Sequence, residues 1–405
     1  MKINRRLFIG GLGSMLYRGN IAFAEETNTN DKAVVYIFLS GGASHIETFN
    51  PIPNAPSDRR SSTGATHTNV VGMELGGLFK QLSNRADRFN VVRSFRHRDA
   101  NHASATHWLM TGEPNFGNGE TQKWPSYGSV VSGKFGPNVD SGLPTYIKLN
   151  EIQHDDAGWM GGRYVGYDAN DEGRKDLLLS VSEERFKLRL KMLERVEYNF
   201  QKGNLLAEQW KDLRSQAVDV VVGEASEAFK VENDPLYEKF KETRFSKDLL
   251  SSIRLIEAGS KFVTINYGGW DMHNDIASSL NGRQVELDNY LALFLDAIQE
   301  RGLYEKVMVV VTSEFGRTPK INAQNGRDHW ARLVPLMISC GSYDMGQVIG
   351  TSDRNAEEAD ETPFEPEDLK WTMFNFLGID KSMRWTAIDA RPMTIVKEDA
   401  KLILS

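Results

Sequence analysis

The sequence predicts an α/β protein organised around a mainly parallel sheet, and three observations carry that expectation. Short β-branched and aromatic runs recur along the 405 residues, helical patterns lie between them, and most of the runs are continuously apolar over several residues. A strand with one wet face alternates polar and apolar residues. A continuous apolar run suits a strand covered on both faces, as strands of parallel sheets are.

The expected strands are "AVVYIFL" (33–39), "FNVVRSF" (89–95), "TYIKL" (145–149), "FVTINY" (262–267), "VMVVVT" (307–312) and "VPLMIS" (334–339). Between the first two, Leu75, Leu78, Phe79 and Leu82 share one helical face; before the fifth, Leu287, Leu291, Phe294 and Ile298 do the same. Residues 172–257 interrupt the alternation with long, charged, helically periodic segments, and Ser180 and Glu183 are spaced as a capping box. This stretch is expected to be a helical insertion packed on the sheet; a lid over the site is the alternative. Near the end, "PEDLKWTMFNFLGID" is expected to form a helix with Pro366 and Glu367 at its start and Gly378 just past its stop.

At the N-terminus, Arg5-Arg6 precede Leu7 and Phe8, and "AFA" precedes Glu25. That pattern matches a twin-arginine signal peptide over 1–24, with export to the periplasm or beyond. The alternative is a basic helix that stays attached. Residues 25–32 are then a flexible lead-in to a single domain over 33–400. The apolar stretch is short and is broken by Arg18, so no stable membrane span is expected.

A net charge of −7 with interspersed signs offers no basic face, which argues against a nucleic-acid partner. Cys340 is the single cysteine, so no intramolecular disulfide framework exists.

Four loops that follow expected strands are dense in groups able to hold a metal ion or an anion. In "SGGASHIETFNP" (40–51), Gly41 and Gly42 let the backbone approach a ligand, with His45 and Glu47 close behind. "NHASATHWLMTG" (101–112) opens a helix with His102, Ser104 and His107, and a helix N-terminus favours anions. The two histidines lie five apart and need not converge; internal packing is as good a reading of His107. "YGGWDMHND" (267–275) carries an Asp-x-His pair, Asp271 and His273, which would face one way in an extended segment. Carboxylate with imidazole suits zinc, manganese or iron better than calcium. Finally "VVVTSEFGRTP" and "NGRDHWARL" bring Glu314, Arg317, Arg327, Asp328 and His329 onto two adjacent loops. Arg327 beside Asp328 also has a plain reading as a surface ion pair.

The stretches "RRLFIGG", "LSGGASHIETFNP", "TGEPN", "PSYGSVVS", "RLIEAGSKFVTINYGGWDMHND", "TSEFGRTPKIN", "GRDHW", "GQVIGTSD" and "PEDLKWTMFNFLGID", in this order, resemble the bacterial family catalogued as domain of unknown function 1501. Such proteins are similar to the alkaline phosphatase superfamily, which includes sulfatases. The resemblance implies a three-layer α/β/α, alkaline phosphatase-like fold. It also implies divalent metal ions, usually two, flanking a nucleophile that meets a phosphate or sulfate ester; for this chain one or two ions are expected, zinc or manganese. On this likeness Glu314 stands at an aspartate ligand position, Asp271 and His273 loosely match a ligand pair, and His329 falls where a late histidine ligand belongs, with Asp328 beside it. Three positions depart from the pattern. Phe315 replaces a histidine ligand, Gly41 replaces a metal-binding aspartate (His45 and Glu47 would compensate), and His102 takes the nucleophile position.

Two functions are therefore expected from the sequence. The first is an exported metal-dependent hydrolase or transferase acting on a phosphate or sulfate ester, small or polymer-borne. In it His102, Ser104 or His107 would do proton or covalent chemistry, and Arg317 or Arg327 would pair the anion. The alternative is a non-catalytic exported binding or assembly protein, with a protein partner, that keeps the fold.

Overall fold

In the computed structural model all six expected runs become strands of one eight-stranded sheet, and the reason is visible in the first. Strand β1 (Ala33–Phe38) is buried at every position. Val35 and Ile37 enter one apolar cluster, while Val34, Tyr36 and Phe38 enter another on the opposite face. The other strands are β2 (Asn90–Val92), β3 (Tyr146–Leu149), β4 (Tyr167–Asp168), β5 (Phe262–Asn266), β6 (Val307–Thr312), β7 (Leu336–Ser339) and β8 (Val348–Ile349). Their order across the sheet is β8-β2-β7-β6-β1-β5-β3-β4. Only β7 runs against its neighbours, β6 and β2; the remaining pairings are parallel.

The structure describes residues 31–115, 123–138, 141–170, 181–198, 225–360, 363–387 and 391–404. The signal peptide expected over 1–24, the lead-in before residue 31, and residues 172–180 (with Ser180 of the capping box) and 199–224 of the expected insertion lie outside them.

Helices cover both faces. Helix α1 (His102–Thr111), α2 (Tyr127–Phe135) and α6 (Pro366–Phe376) pack on one side, through Trp108, Val130 and Met373 among others. Helices α4 (Arg244–Glu257) and α5 (Ile276–Glu300) pack on the other, through Leu249, Leu287 and Leu291. Helix α3 (Glu183–Tyr198) lies within the stretch read as an insertion, whose last helix, α4, lines the sheet directly. No described helix is long and apolar enough to cross a membrane.

One expected helix is absent. Leu75 lies in a short strand, Glu74–Gly76, paired with Ala65–His67, and a 3₁₀ helix begins only at Leu82. The pair Gly76-Gly77 interrupts the helical pattern, and both glycines sit where a Cβ would meet a backbone carbonyl, Glu47 O or Thr63 O, at 1.8 Å. Leu75, Phe79 and Leu82 are buried all the same.

Because β1, β5 and β6 are parallel, and β2 shares their direction through the reversal at β7, the loops after all four leave the same rim. Open α/β sheets bind ligands at such a rim.

Candidate metal centre

Helix α1 begins at the rim because Asn101 caps it, its side chain accepting hydrogen bonds from the amides of Ala103 and Ser104. His102 thereby becomes the first helical residue. After β5 the chain bends through Gly269, whose φ of +94° only glycine adopts freely, and delivers Asp271 and His273. Two residues past β6, Glu314 turns inward. A short ladder pairs His329 with Arg317 and brings the last loop back to the site.

Asp271 is where these elements meet. Its Oδ1 lies 3.0 Å from His273 Nε2, 3.3 Å from His329 Nε2 and 2.6 Å from Arg317 Nη2. Its Oδ2 lies 3.5 Å from His102 Nε2. The two nearer imidazoles approach each other to 3.1 Å between their Nε2 atoms. Each ring is pinned from behind. His102 Nδ1 bonds Glu314 Oε1 at 2.7 Å, His273 Nδ1 bonds Asp328 Oδ1 at 2.9 Å, and His329 Nδ1 bonds Ala100 O at 2.9 Å. A carbonyl or carboxylate oxygen only accepts, so each Nδ1 carries a proton, and Nε2, the nitrogen turned toward Asp271, is the one that would lose its proton to ligate an ion. Ligating histidines are usually held from the far side in this way.

The surrounding charges act on each group differently. Burial would raise the Asp271 carboxyl, but the Arg317 hydrogen bond and charge, with His329, hold it down at about 2. Burial and the nearby Arg317 charge lower His329 and favour its neutral form. The hydrogen bond to Glu314 raises His102.

Donors around a four-coordinate zinc at about 2.0–2.1 Å stand about 3.3 Å apart. Asp271 Oδ1, His273 Nε2 and His329 Nε2, separated by 3.0, 3.1 and 3.3 Å, fit one ion with an open position. His102, Asp271 and His329 form a looser group whose donors lie within 4.8 Å of one another. The tighter triangle is the better match to metal–ligand bond lengths, and it leaves His102 facing the other carboxylate oxygen.

Several expected residues lie elsewhere. His45 is buried with its Nε2 on Ala356 O and its ring against Gly316. Glu47 is buried against Arg327 and accepts from Ser61 and Ser62. Arg327, besides Glu47, donates to the carbonyls of Thr318, Pro319, Arg59 and Arg60, so it is neither a surface ion pair with Asp328 nor a free anion clamp. Arg317 is at the site but spends its donors on Gly41 O, Gly42 O, Trp270 O, Arg327 O and Asp271, and its Nη1 also lies 3.3 Å from His273 Nε2. Ser104 is tied to the cap of α1, and His107 is buried with its Nδ1 on Glu113 O. Glu314 and Asp328 touch the rings of His102 and His273 from behind.

Most of the supporting groups carry no sequence signal. His97 donates from Nε2 to Glu314 O at 2.6 Å and accepts the Asp99 amide at Nδ1. Ser313 Oγ and the Gly41 amide both hold the Glu314 carboxylate. Single serines and carbonyls carry no spacing pattern, whereas His97 with Asp99 has the same two-residue spacing as Asp271 with His273, and that spacing is the signal that could have found it.

A family profile described as "Protein of unknown function (DUF1501)" matches residues 31–405. The chain belongs to this family. No curated protein matches the DUF1501 chain. Among solved structures, it is similar to the PsFucS1 sulfatase from Pseudoalteromonas sp. at 13% identity, covering 91% of this chain and 70% of that one, with a TM-score of 0.44. It is similar to the phosphonate monoester hydrolase of Agrobacterium radiobacter at 12% identity, covering 86% and 74%, with a TM-score of 0.43. It is also similar to the soluble domain of lipooligosaccharide phosphoethanolamine transferase A from Neisseria meningitidis at 8% identity, covering 85% and 88%, with a TM-score of 0.40.

Proposed function

We propose that this DUF1501 chain is an exported, metal-dependent hydrolase or transferase acting on a phosphate or sulfate ester. One observation carries the reading: Asp271 and two imidazoles, each pinned from behind, present three donors about 3 Å apart at the rim of the sheet. A divalent ion held there would act as a Lewis acid and lower the pKa of bound water.

The chain's own residues supply the rest. His102 faces Asp271 Oδ2 and is oriented by Glu314, which suits it to proton transfer at the ester or its leaving group. Glu314 in turn is fixed by the Gly41 amide and Ser313, so the imidazole cannot swing away. The ester class rests on the motif resemblance, in which "TSEFG" and His102 stand at a ligand strand end and the nucleophile position. Export rests on the paired arginines and the Ala-Phe-Ala stretch before Glu25.

A specific observation favours the second reading, a binding or assembly protein: both Arg317 and Arg327 are consumed internally, which leaves neither to clamp an anion. Metal content of the purified chain and turnover of a panel of phosphate and sulfate esters, with His102→Ala in parallel, separate the two. Bound zinc or manganese with His102-dependent turnover supports the enzyme. Absence of metal and of turnover across the panel overturns it.

A further inference from the structure

The same cluster fits one ion and not two. We propose that the centre is mononuclear and that the Arg317 guanidinium permanently supplies the positive charge that a second ion would otherwise bring. The inference rests on reading Asp271, His273 and His329 as metal ligands.

Where a second ion would need ligands, the chain has closed the space. Gly41 stands at the position of a metal-binding aspartate, but no side chain can enter there. Its φ is +113°, and a Cβ would lie 2.6 Å from the Asp271 amide nitrogen and 2.8 Å from that of Trp270. Contacts under 3.0 Å to backbone cannot be relieved by a rotamer change. Phe315 stands where a histidine ligand is expected. It is fully buried and offers no donor, and its ring centroid lies 4.9 Å from that of His102 and 4.4 Å from that of His329. A Cβ on Gly42 would sit 2.3 Å from the Phe315 ring and 3.1 Å from Arg317 Nη2. Ring and guanidinium are therefore pressed onto the Gly41-Gly42 backbone.

Arg317 occupies what remains. It is fully buried, and its donors are held by four backbone carbonyls as well as Asp271. A guanidinium so held stays charged and cannot withdraw. It takes one lone pair of Asp271 Oδ1 at 2.6 Å, while His273 and His329 face the same oxygen and His102 faces Oδ2. The same carboxylate would therefore hold the ion while already paired with a fixed cation. Two-ion hydrolases use the second ion to stabilise charge on the reacting group; here a permanent cation already neutralises the shared carboxylate.

The test is the count. The metal-free full chain is saturated with manganese(II), desalted, and examined by elemental analysis and electron paramagnetic resonance. One ion per chain with the spectrum of an isolated ion is expected. Two ions per chain, or an exchange-coupled pair, overturns the proposal while leaving the metal reading intact. No bound manganese or zinc at all removes the metal centre, and the proposal with it. Phe315→His restores an imidazole at the missing ligand position and is expected still to bind one ion, because Arg317 remains. A rise to two would show that Arg317 is not what excludes the second.

Discussion

His273 Nδ1 donates to Asp328 Oδ1 across 2.9 Å, on the side of the ring turned away from Asp271. Asp328 is itself steadied by the Asn322 side-chain amide at 3.1 Å. The carboxylate fixes the tautomer and makes the inward nitrogen more basic. Asp328→Asn keeps the shape and removes the charge, and the residue is exposed, so the fold is unaffected. Zinc affinity is expected to fall about 10–100-fold, the usual cost of losing such a support. A competition titration against a chromogenic chelator reads this directly, and unchanged affinity would remove His273 from the ligand set.

Beneath the rim, Glu47 and Arg327 form an ion pair in which neither side chain is exposed to solvent. The pair joins the loop after β1 to the segment before β7, and Arg327 also ties down residues 59 and 60. Removing one partner strands the other charge, which costs about 3–5 kcal/mol. Glu47→Gln is therefore expected to lower the urea midpoint sharply. Were Glu47 a metal ligand instead, the loss would appear in metal affinity with stability little changed.

That contrast marks what the residues reveal before folding and what they do not. The strands were legible because runs such as 307–311 are apolar at every position, a pattern that suits a doubly covered strand, and the strand is buried throughout. The rim was legible because carboxylates and histidines followed those runs. Direction within a loop was not. His45 and Glu47 sit in the same loop as Gly41, yet the chain folds into turns there, with the Thr48 amide on Ser44 O, and both side chains point inward. His102 and His107 are five apart on one helix, so at about 100° per residue they point to different faces. One reaches the site and the other the core. Gly76-Gly77 ended a helix that apolar spacing alone would continue.

Acid stability should report the buried histidines. Burial holds both His45 and His107 at about 4 when folded. Unfolded, each would titrate near 6.5, so between pH 6.5 and 4 the unfolded chain binds more protons. Stability then falls as pH drops through that window, by up to about 3 kcal/mol for each histidine, and is fully present above it. His107→Gln is expected to be less stable than wild type at pH 7.5 and to lose less on acidification. Denaturant midpoints at pH 7.5, 6 and 5 test this. Parallel curves for variant and wild type would mean that His107 keeps its ordinary titration in the fold.

Gly42 ties the backbone to the site through the Phe315 ring. Its φ of +82° disfavours any other residue, and a methyl would overlap the Phe315 ring at 2.3 Å. Phe315 is packed between His102 and His329, so it cannot give way without moving both imidazoles. Gly42→Ala is expected to cost about 1–3 kcal/mol from backbone strain and overpacking. More tellingly, it should weaken metal binding although the methyl touches no ligand, because the displaced ring rotates His329 away from Asp271. Gly72 is the control: it also has a positive φ, +84°, but a Cβ there meets nothing within 4 Å. Gly72→Ala should share the strain and leave metal affinity alone. If both variants bind metal as wild type does, the Phe315 ring does not position the histidines, and the close packing around Gly42 serves stability only.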